Sequence, residues 1–160
     1  MKLIFSVVIL FTFHLIIYPQ EATKIALIHE TSYDLIDAEN QAGVIYVSLF
    51  DLIKALPLSI SGEEKASSAK ILFENYELQI NSNNPFVSII DLQDSSVKTV
   101  QLSSPTYAKG SKIYISLSSI IELINQFWHK ELISLASNRV KIVEKSKMLK
   151  DLKLSEIAKV

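Results

Sequence analysis

Apolar residues follow two rhythms along this chain. Short runs of β-branched and aromatic residues predict strands, and in two places large aliphatics recur at i, i+3, i+4 and i+7, which predicts one face of a helix. The clearest case begins at Val44. Val44-Ile45-Tyr46-Val47 reads as a strand, Ser48 as a helix cap that accepts a bond from a free backbone N–H, and Leu49, Leu52, Ile53 and Leu56 share one helical face. Pro57 stops that helix, because the residue before a proline is driven out of the helical region.

The same phrase returns at an offset of 68 residues. Ile113-Tyr114-Ile115 is the strand, Ser116 the cap, and Leu117, Ile120, Ile121 and Ile124 take the four helical places. Tyr46 falls on Tyr114, Ser48 on Ser116 and Leu49 on Leu117. Helices this short are not held by propensity. Burial of four large aliphatics each, about 1.5–3 kcal/mol apiece if complete, must hold them. The repetition predicts a duplicated strand–helix unit.

The remaining pattern is mostly extended. Residues 24–29 read as a strand and residues 30–42, polar and mixed, as a loop with a short extended piece. Between the two units come a short strand at 58–61, a polar turn at 62–68, and a hairpin of 70–74 with 77–81 around Asn75-Tyr76. A turn cluster at 81–85, strands at 86–91 and 100–102, and a turn at Lys109-Gly110-Ser111 follow. After the second helix, 131–135 and 139–144 form a last hairpin around Ser137-Asn138. Strands outnumber helices and tight turns join them, so the expected class is α+β, with antiparallel strands and hairpins and two short helices.

The N-terminus is of another kind. Lys2 precedes residues 3–18, which are apolar except for Ser6, Thr12 and His14, and Pro19 and Gln20 end the run. That is the layout of a secretory signal, with Glu21-Ala22-Thr23 where a cleavage site would fall. The run is shorter than the ~20 residues of a spanning helix. An uncleaved anchor is the alternative, since Tyr18 and Gln20 are not the small residues a cleavage site wants. The expected organisation is a signal at 1–22, one domain at 23–144, and a basic tail or linker at 145–160.

Composition narrows the chemistry. Among 160 residues there is no cysteine, which excludes disulfides, thiolate metal sites, a cysteine nucleophile and a lipid-modified N-terminal cysteine. Residues 23–144 carry 10 basic and 14 acidic groups, a net −4 that will not draw in a polyanion, so nucleic acid is not an expected partner. Lys145, Lys147, Lys150, Lys153 and Lys159 make the tail basic. It reads as a solvated linker or helix, with membrane-surface contact as the alternative. Insertion into a membrane is expected only through the N-terminal segment, if that segment is retained.

Val47-Ser48-Leu49-Phe50 and Ile115-Ser116-Leu117-Ser118 each precede a short apolar helix, and a polar gap and a hairpin separate them. This arrangement, over residues 24–144, resembles the copper amine oxidase N-terminal-like domain, a secreted module of bacterial cell-envelope proteins whose phrase reads V-P-L-R. The proline and arginine are missing from both copies here, and no L-G-A follows either helix. The resemblance implies a non-catalytic module without a cofactor, binding or presenting to the cell wall, with peptidoglycan or another envelope component as partner. Such domains precede N-acetylmuramoyl-L-alanine amidases. The alternative is therefore the N-terminal part of such a peptidoglycan hydrolase, whose zinc catalytic domain is not in this chain. Ile157-Ala158-Lys159-Val160 would then open a strand, against the alternative of a fraying helix end.

Candidate chemistry adds little to this. Asn75-Tyr76-Glu77 looks like part of the motif whose tyrosine becomes the quinone of amine oxidases, but Leu72 stands where that motif has threonine. Beyond the signal there are two histidines, His29 and His129, and they lack ligand spacing. Asn75-Tyr76 reads instead as a hairpin turn, asparagine tolerating left-handed geometry. Asp34, Asp37 and Glu39 lack the glycine and later glutamate of a calcium loop and read as solvated. No G-x-S-x-G surrounds a serine, and Gly43, Gly62 and Gly110 are isolated. No catalytic residue, metal ligand or cofactor contact is expected. Candidate ligand contacts are the aromatics near turns, Trp128, Tyr76, Tyr107 and Phe127, rings that would either stack on a sugar or cap the edge of the core.

Overall fold

Side-chain alternation on adjoining strands, together with the two helical stripes, builds a pair of sheets around one core. A computed structural model describes residues 21–61, 67–135 and 138–145 of the chain. Most of the expected signal, most of the 62–68 turn, Ser137 and the tail beyond Lys145 lie outside the described residues.

The first unit is β3 (Val44–Ser48) followed by α1 (Leu49–Ala55), and the second is β10 (Lys112–Ser116) followed by α2 (Leu117–Phe127). Both serines cap as expected. Ser48 Oγ accepts from Asp51 N at 3.5 Å and Ser116 Oγ from Ser119 N at 3.3 Å. Both cap side chains are buried, and Ser116 Oγ also donates to Ser119 Oγ at 2.7 Å. The helices differ in length because Pro57 ends α1, whereas Asn125 stands 68 residues on and lets α2 run to Phe127. The extra turn shifts the buried stripe. Leu49, Leu52, Ile53, Leu56, Leu117, Ile120 and Ile124 are buried, but Ile121 is only half-buried and Leu123 takes the deeper place. The expected equivalence of Ile121 with Ile53 is corrected on that point.

β3 and β10 lie antiparallel side by side, with Val47 opposite Ile115, Tyr46 opposite Ser116 and Ser48 opposite Tyr114. They belong to a seven-stranded sheet, in which β10 lies one strand in from an edge. On one side of β10 is β9 (Tyr107–Lys109). On the other side of β3 come β2 (Tyr33–Gln41), β1 (Glu21–Ile28), β12 (Arg139–Glu144) and β11 (Lys130–Leu135). The sheet is antiparallel, as expected, except where β12 runs parallel to β1. β1 starts at Glu21, so Glu21, Ala22 and Thr23 pair with Asn40, Glu39 and Ala38.

β2 was expected to be mostly loop. It is a nine-residue strand bonded to β1 and to β3. Its Ile36 and Ala38 face the core, and its acids find partners on other strands: Asp37 with Lys24 at 3.2 Å, and Glu39 with Lys109 and Tyr107. A two-residue turn joins β2 to β3 with Ala42 at φ +51° and Gly43 at φ +86°, the twist that tight hairpins require.

The second sheet has five antiparallel strands: β4 (Ser59–Ser61), β5 (Ser68–Leu72), β6 (Tyr76–Asn81), β7 (Phe86–Asp91) and β8 (Val97–Gln101). Ala69, Ile71, Leu78, Ile80, Val87 and Ile89 alternate inward. The β5–β6 hairpin closes through Phe73–Asn75, with Phe73 N–H donating to Tyr76 C=O at 2.8 Å. Among the described residues, positive φ outside glycine falls on Ala42, Asn83, Ser95 and Asn138, so Asn75 does not adopt the left-handed geometry expected of it. Thr106 ties the sheets together, its hydroxyl donating to the carbonyls of Asn81 and Asn84. The apolar faces of both sheets and both helices meet in one core.

Candidate functional site

α1 stops just before Pro57 and α2 runs on to Phe127, and the two helix ends open onto a cleft. β4 and β11 are edge strands of their respective sheets, and the cleft lies between them. Its walls are Pro57, Leu58 and Ser59 after α1, Leu72, Phe73 and Glu74 at the end of β5, and Asn125, Gln126 and Phe127 in the last turn of α2. Trp128, His129, Glu131 and Lys145 complete it. Its volume of ≈ 870 Å³ is within the range of small-ligand sites.

Hydrogen bonds fix this corner. The Asn125 side chain imitates a neighbouring strand: Leu132 N–H donates to Asn125 Oδ1 at 2.7 Å, and Asn125 Nδ2 donates to Leu132 C=O at 2.9 Å. That pairing occupies outward-facing backbone groups of the β11 edge, which would otherwise invite another strand. Lys145 Nζ donates to the carbonyls of Asn125 and Trp128 at 2.6 and 2.5 Å, supplying donors and positive charge to a helix C-terminus. Phe127 is held by Tyr76, with ring centroids 4.8 Å apart, and by Phe73 at 5.9 Å.

The four candidate aromatics therefore separate. Phe127 and Trp128 line the cleft, and Tyr76 supports Phe127. Trp128 is only 4% exposed, packed into the core, so its ring is not the exposed stacking platform its size and turn position suggested. Leu58, Leu72, Phe73 and Asn125 come from segments far apart in sequence, and no local pattern marks them as one wall. His129 stands at the rim beside Trp128, whereas His29 bonds Asp34 at 2.9 Å on another strand. Among the described residues no group of three or more His, Cys, Asp or Glu is placed to hold a metal ion, and no helix is long and apolar enough to cross a membrane.

Tyr107 belongs to a second cluster. Its ring stacks on Tyr114 at 5.1 Å and meets Tyr46 edge-on at 5.0 Å, and its hydroxyl donates to Glu39 Oε2 at 2.8 Å. Burial pushes the Glu39 carboxyl up, but the Lys109 and Tyr107 hydrogen bonds and the Lys109 charge outweigh it and hold the group below its usual range. Burial, then the Glu39 bond and charge, push the Tyr107 phenol well above its usual value, and burial followed by the Glu39 charge raises Tyr114. This cluster is a structural clasp across β2, β3, β9 and β10.

No protein-family model, curated protein or solved structure matches the chain.

A pH experiment reads the clasp directly. A raised tyrosine stabilises the fold fully below the ordinary phenol pKa near ~10 and loses that contribution as pH climbs toward the folded value. A depressed carboxyl does the reverse, its contribution being lost as pH falls below the ordinary carboxylate range. Ultraviolet titration of phenolate should show Tyr107 and Tyr114 ionising above the ordinary phenol range, and Tyr107→Phe should remove one of those late steps. The absence of any late phenolate step, or late steps unchanged by Tyr107→Phe, would contradict the clasp.

Proposed function

We propose that this chain is a non-catalytic, exported cell-envelope module related to the copper amine oxidase N-terminal-like domain, and that its cleft binds a component of the cell wall. The cleft is the observation that carries the reading. Leu58, Leu72, Phe73 and Phe127 give it apolar surface, while Ser59, Glu74, Gln126, His129 and Glu131 give it polar groups. A sugar or muropeptide presents the matching combination of a weakly apolar ring face and many hydroxyl and amide groups.

The duplication of the strand–helix unit is part of this proposal, and the β3–β10 register supports it. Val47 and Ile115 are 68 residues apart and directly opposed. The same offset carries the pair Tyr46–Ser116 onto Tyr114–Ser48, so the pairing maps onto itself. An internal repeat placed about a local two-fold axis would give this register.

Stacking at one small site leaves little affinity after ordering costs, so binding in the micromolar range or weaker is expected. The test is co-sedimentation with purified sacculi, using Gln126→Trp to fill the cleft. Gln126 is exposed, so the added ring takes up cleft volume without disturbing the core. Native protein should pellet with sacculi and the variant should remain soluble. Equal pelleting would remove the cleft from the account, and dye release from labelled sacculi by the pure protein would overturn the non-catalytic reading.

A further inference from the structure

Four of the eight large hydrophobics exposed among the described residues, Tyr33, Leu35, Ile133 and Leu135, lie on one face of the seven-stranded sheet. Strand register puts them there. Ile133 is opposite Lys141, Lys141 opposite Ile28, and Ile28 opposite Tyr33, giving one row across four strands. The next row is Leu135, Arg139, Ala26 and Leu35. Directly paired residues on neighbouring strands project from the same side of a sheet. The opposite side carries Leu132, Val140, Leu27 and Ile36, all buried in the core. The exposed side is thus apolar, with Tyr33 at 65% and Leu35 at 56% exposure, and two cations stand among its apolar groups. Among the described residues Arg139 and Lys141 have no ion-pair partner, while the acids on this side of the sheet are Asp37, held by Lys24 and Lys112, Glu39, buried in its bonds to Lys109 and Tyr107, and Glu131 at the cleft rim.

We propose that this face lies on an anionic lipid bilayer. Charge and continuity favour that occupant. Apolar side chains mixed with unpaired Arg and Lys suit a membrane boundary, where aliphatic groups and a tyrosine enter the interface and long cationic chains reach lipid phosphates. The apolar run at residues 3–18 ends three residues before β1 begins, a reach of about 10–11 Å at full extension. Wherever that run is held by a bilayer, the sheet face that β1 helps to form starts beside the lipid surface. The face is distinct from the cleft, and the inference does not depend on what the cleft binds.

The absence of cysteine makes single-site labelling clean. Full-length chain carrying Leu35→Cys, Ile133→Cys or, as reference, Thr99→Cys on the exposed side of the five-stranded sheet would be nitroxide-labelled and bound to phosphatidylglycerol–phosphatidylcholine vesicles. Labels at 35 and 133 should collide with an aqueous nickel chelate at least about threefold less often than the label at 99, as a face sunk into the headgroup boundary requires. Arg139→Glu with Lys141→Glu should abolish that difference, and so should pure phosphatidylcholine. Equal accessibility at all three positions would overturn the proposal. Shielding unchanged by the charge reversals or by neutral lipid would overturn it as well. Spin–spin broadening between labels at 35 without lipid shielding would assign the face to a second copy of the chain instead.

Discussion

Trp128→Ala should lower the free energy of unfolding by about 3–5 kcal/mol, the range for truncating a large buried aromatic. Trp128 is 4% exposed and belongs to the core. It also ends α2, its N–H donating to Ile124 C=O at 2.8 Å and its C=O accepting from Lys145. Those backbone bonds survive the substitution, so the loss comes from packing and from the cavity left behind. Urea unfolding followed by circular dichroism measures it; fluorescence would not serve, because this is the one tryptophan in the chain. A loss below about 0.5 kcal/mol, the level of ordinary surface substitutions, would mean the ring is not in the core. Weakened wall binding by this variant would report a damaged fold, which is why Gln126→Trp is the better probe of the cleft.

Ile53→Ala and Ile120→Ala should each cost about 2–5 kcal/mol, and Ile121→Ala less than either. Ile53 and Ile120 are fully buried at equivalent depth beneath the two helices, whereas Ile121 is half-buried beside the longer α2. Truncating a half-buried side chain forfeits less transfer energy and leaves a dent open to solvent in place of a closed cavity. Shifts in urea midpoint at unchanged slope are the measurement. If Ile121→Ala matched Ile53→Ala, the two helices would pack alike and the account of the extra turn would be wrong.

The two strand–cap–helix units were legible because each rests on neighbouring residues: a β-branched run, a serine cap, and aliphatics at helical spacing. Helix length was half legible. Pro57 announces one end, but the position of Asn125 reveals an extra turn only once the units are aligned. β2 was illegible for a physical reason. Its acids look like a solvated loop until Lys24, Lys109 and Lys112 arrive from other strands to meet Asp37 and Glu39. The parallel placement of β12 against β1 is likewise a long-range event with no local mark. At the site, proximity to a turn pointed to Phe127 and to its support Tyr76, but it could not distinguish the partly exposed Phe127 from the buried Trp128 one residue later. Nor could it separate them from Tyr107, which serves the clasp with Glu39.

The central claim, that the cleft between β4 and β11 binds a wall fragment, is tested most directly by backbone amide chemical-shift mapping with a soluble disaccharide-peptide released from purified peptidoglycan. Shifts that saturate together, with a Kd in the micromolar range or weaker, should centre on Ser59, Leu72, Glu74, Gln126, Phe127 and His129, leave Tyr46, Tyr107 and Tyr114 unmoved, and vanish in Gln126→Trp. No shift up to millimolar fragment, or shifts centred away from those cleft residues, would contradict it.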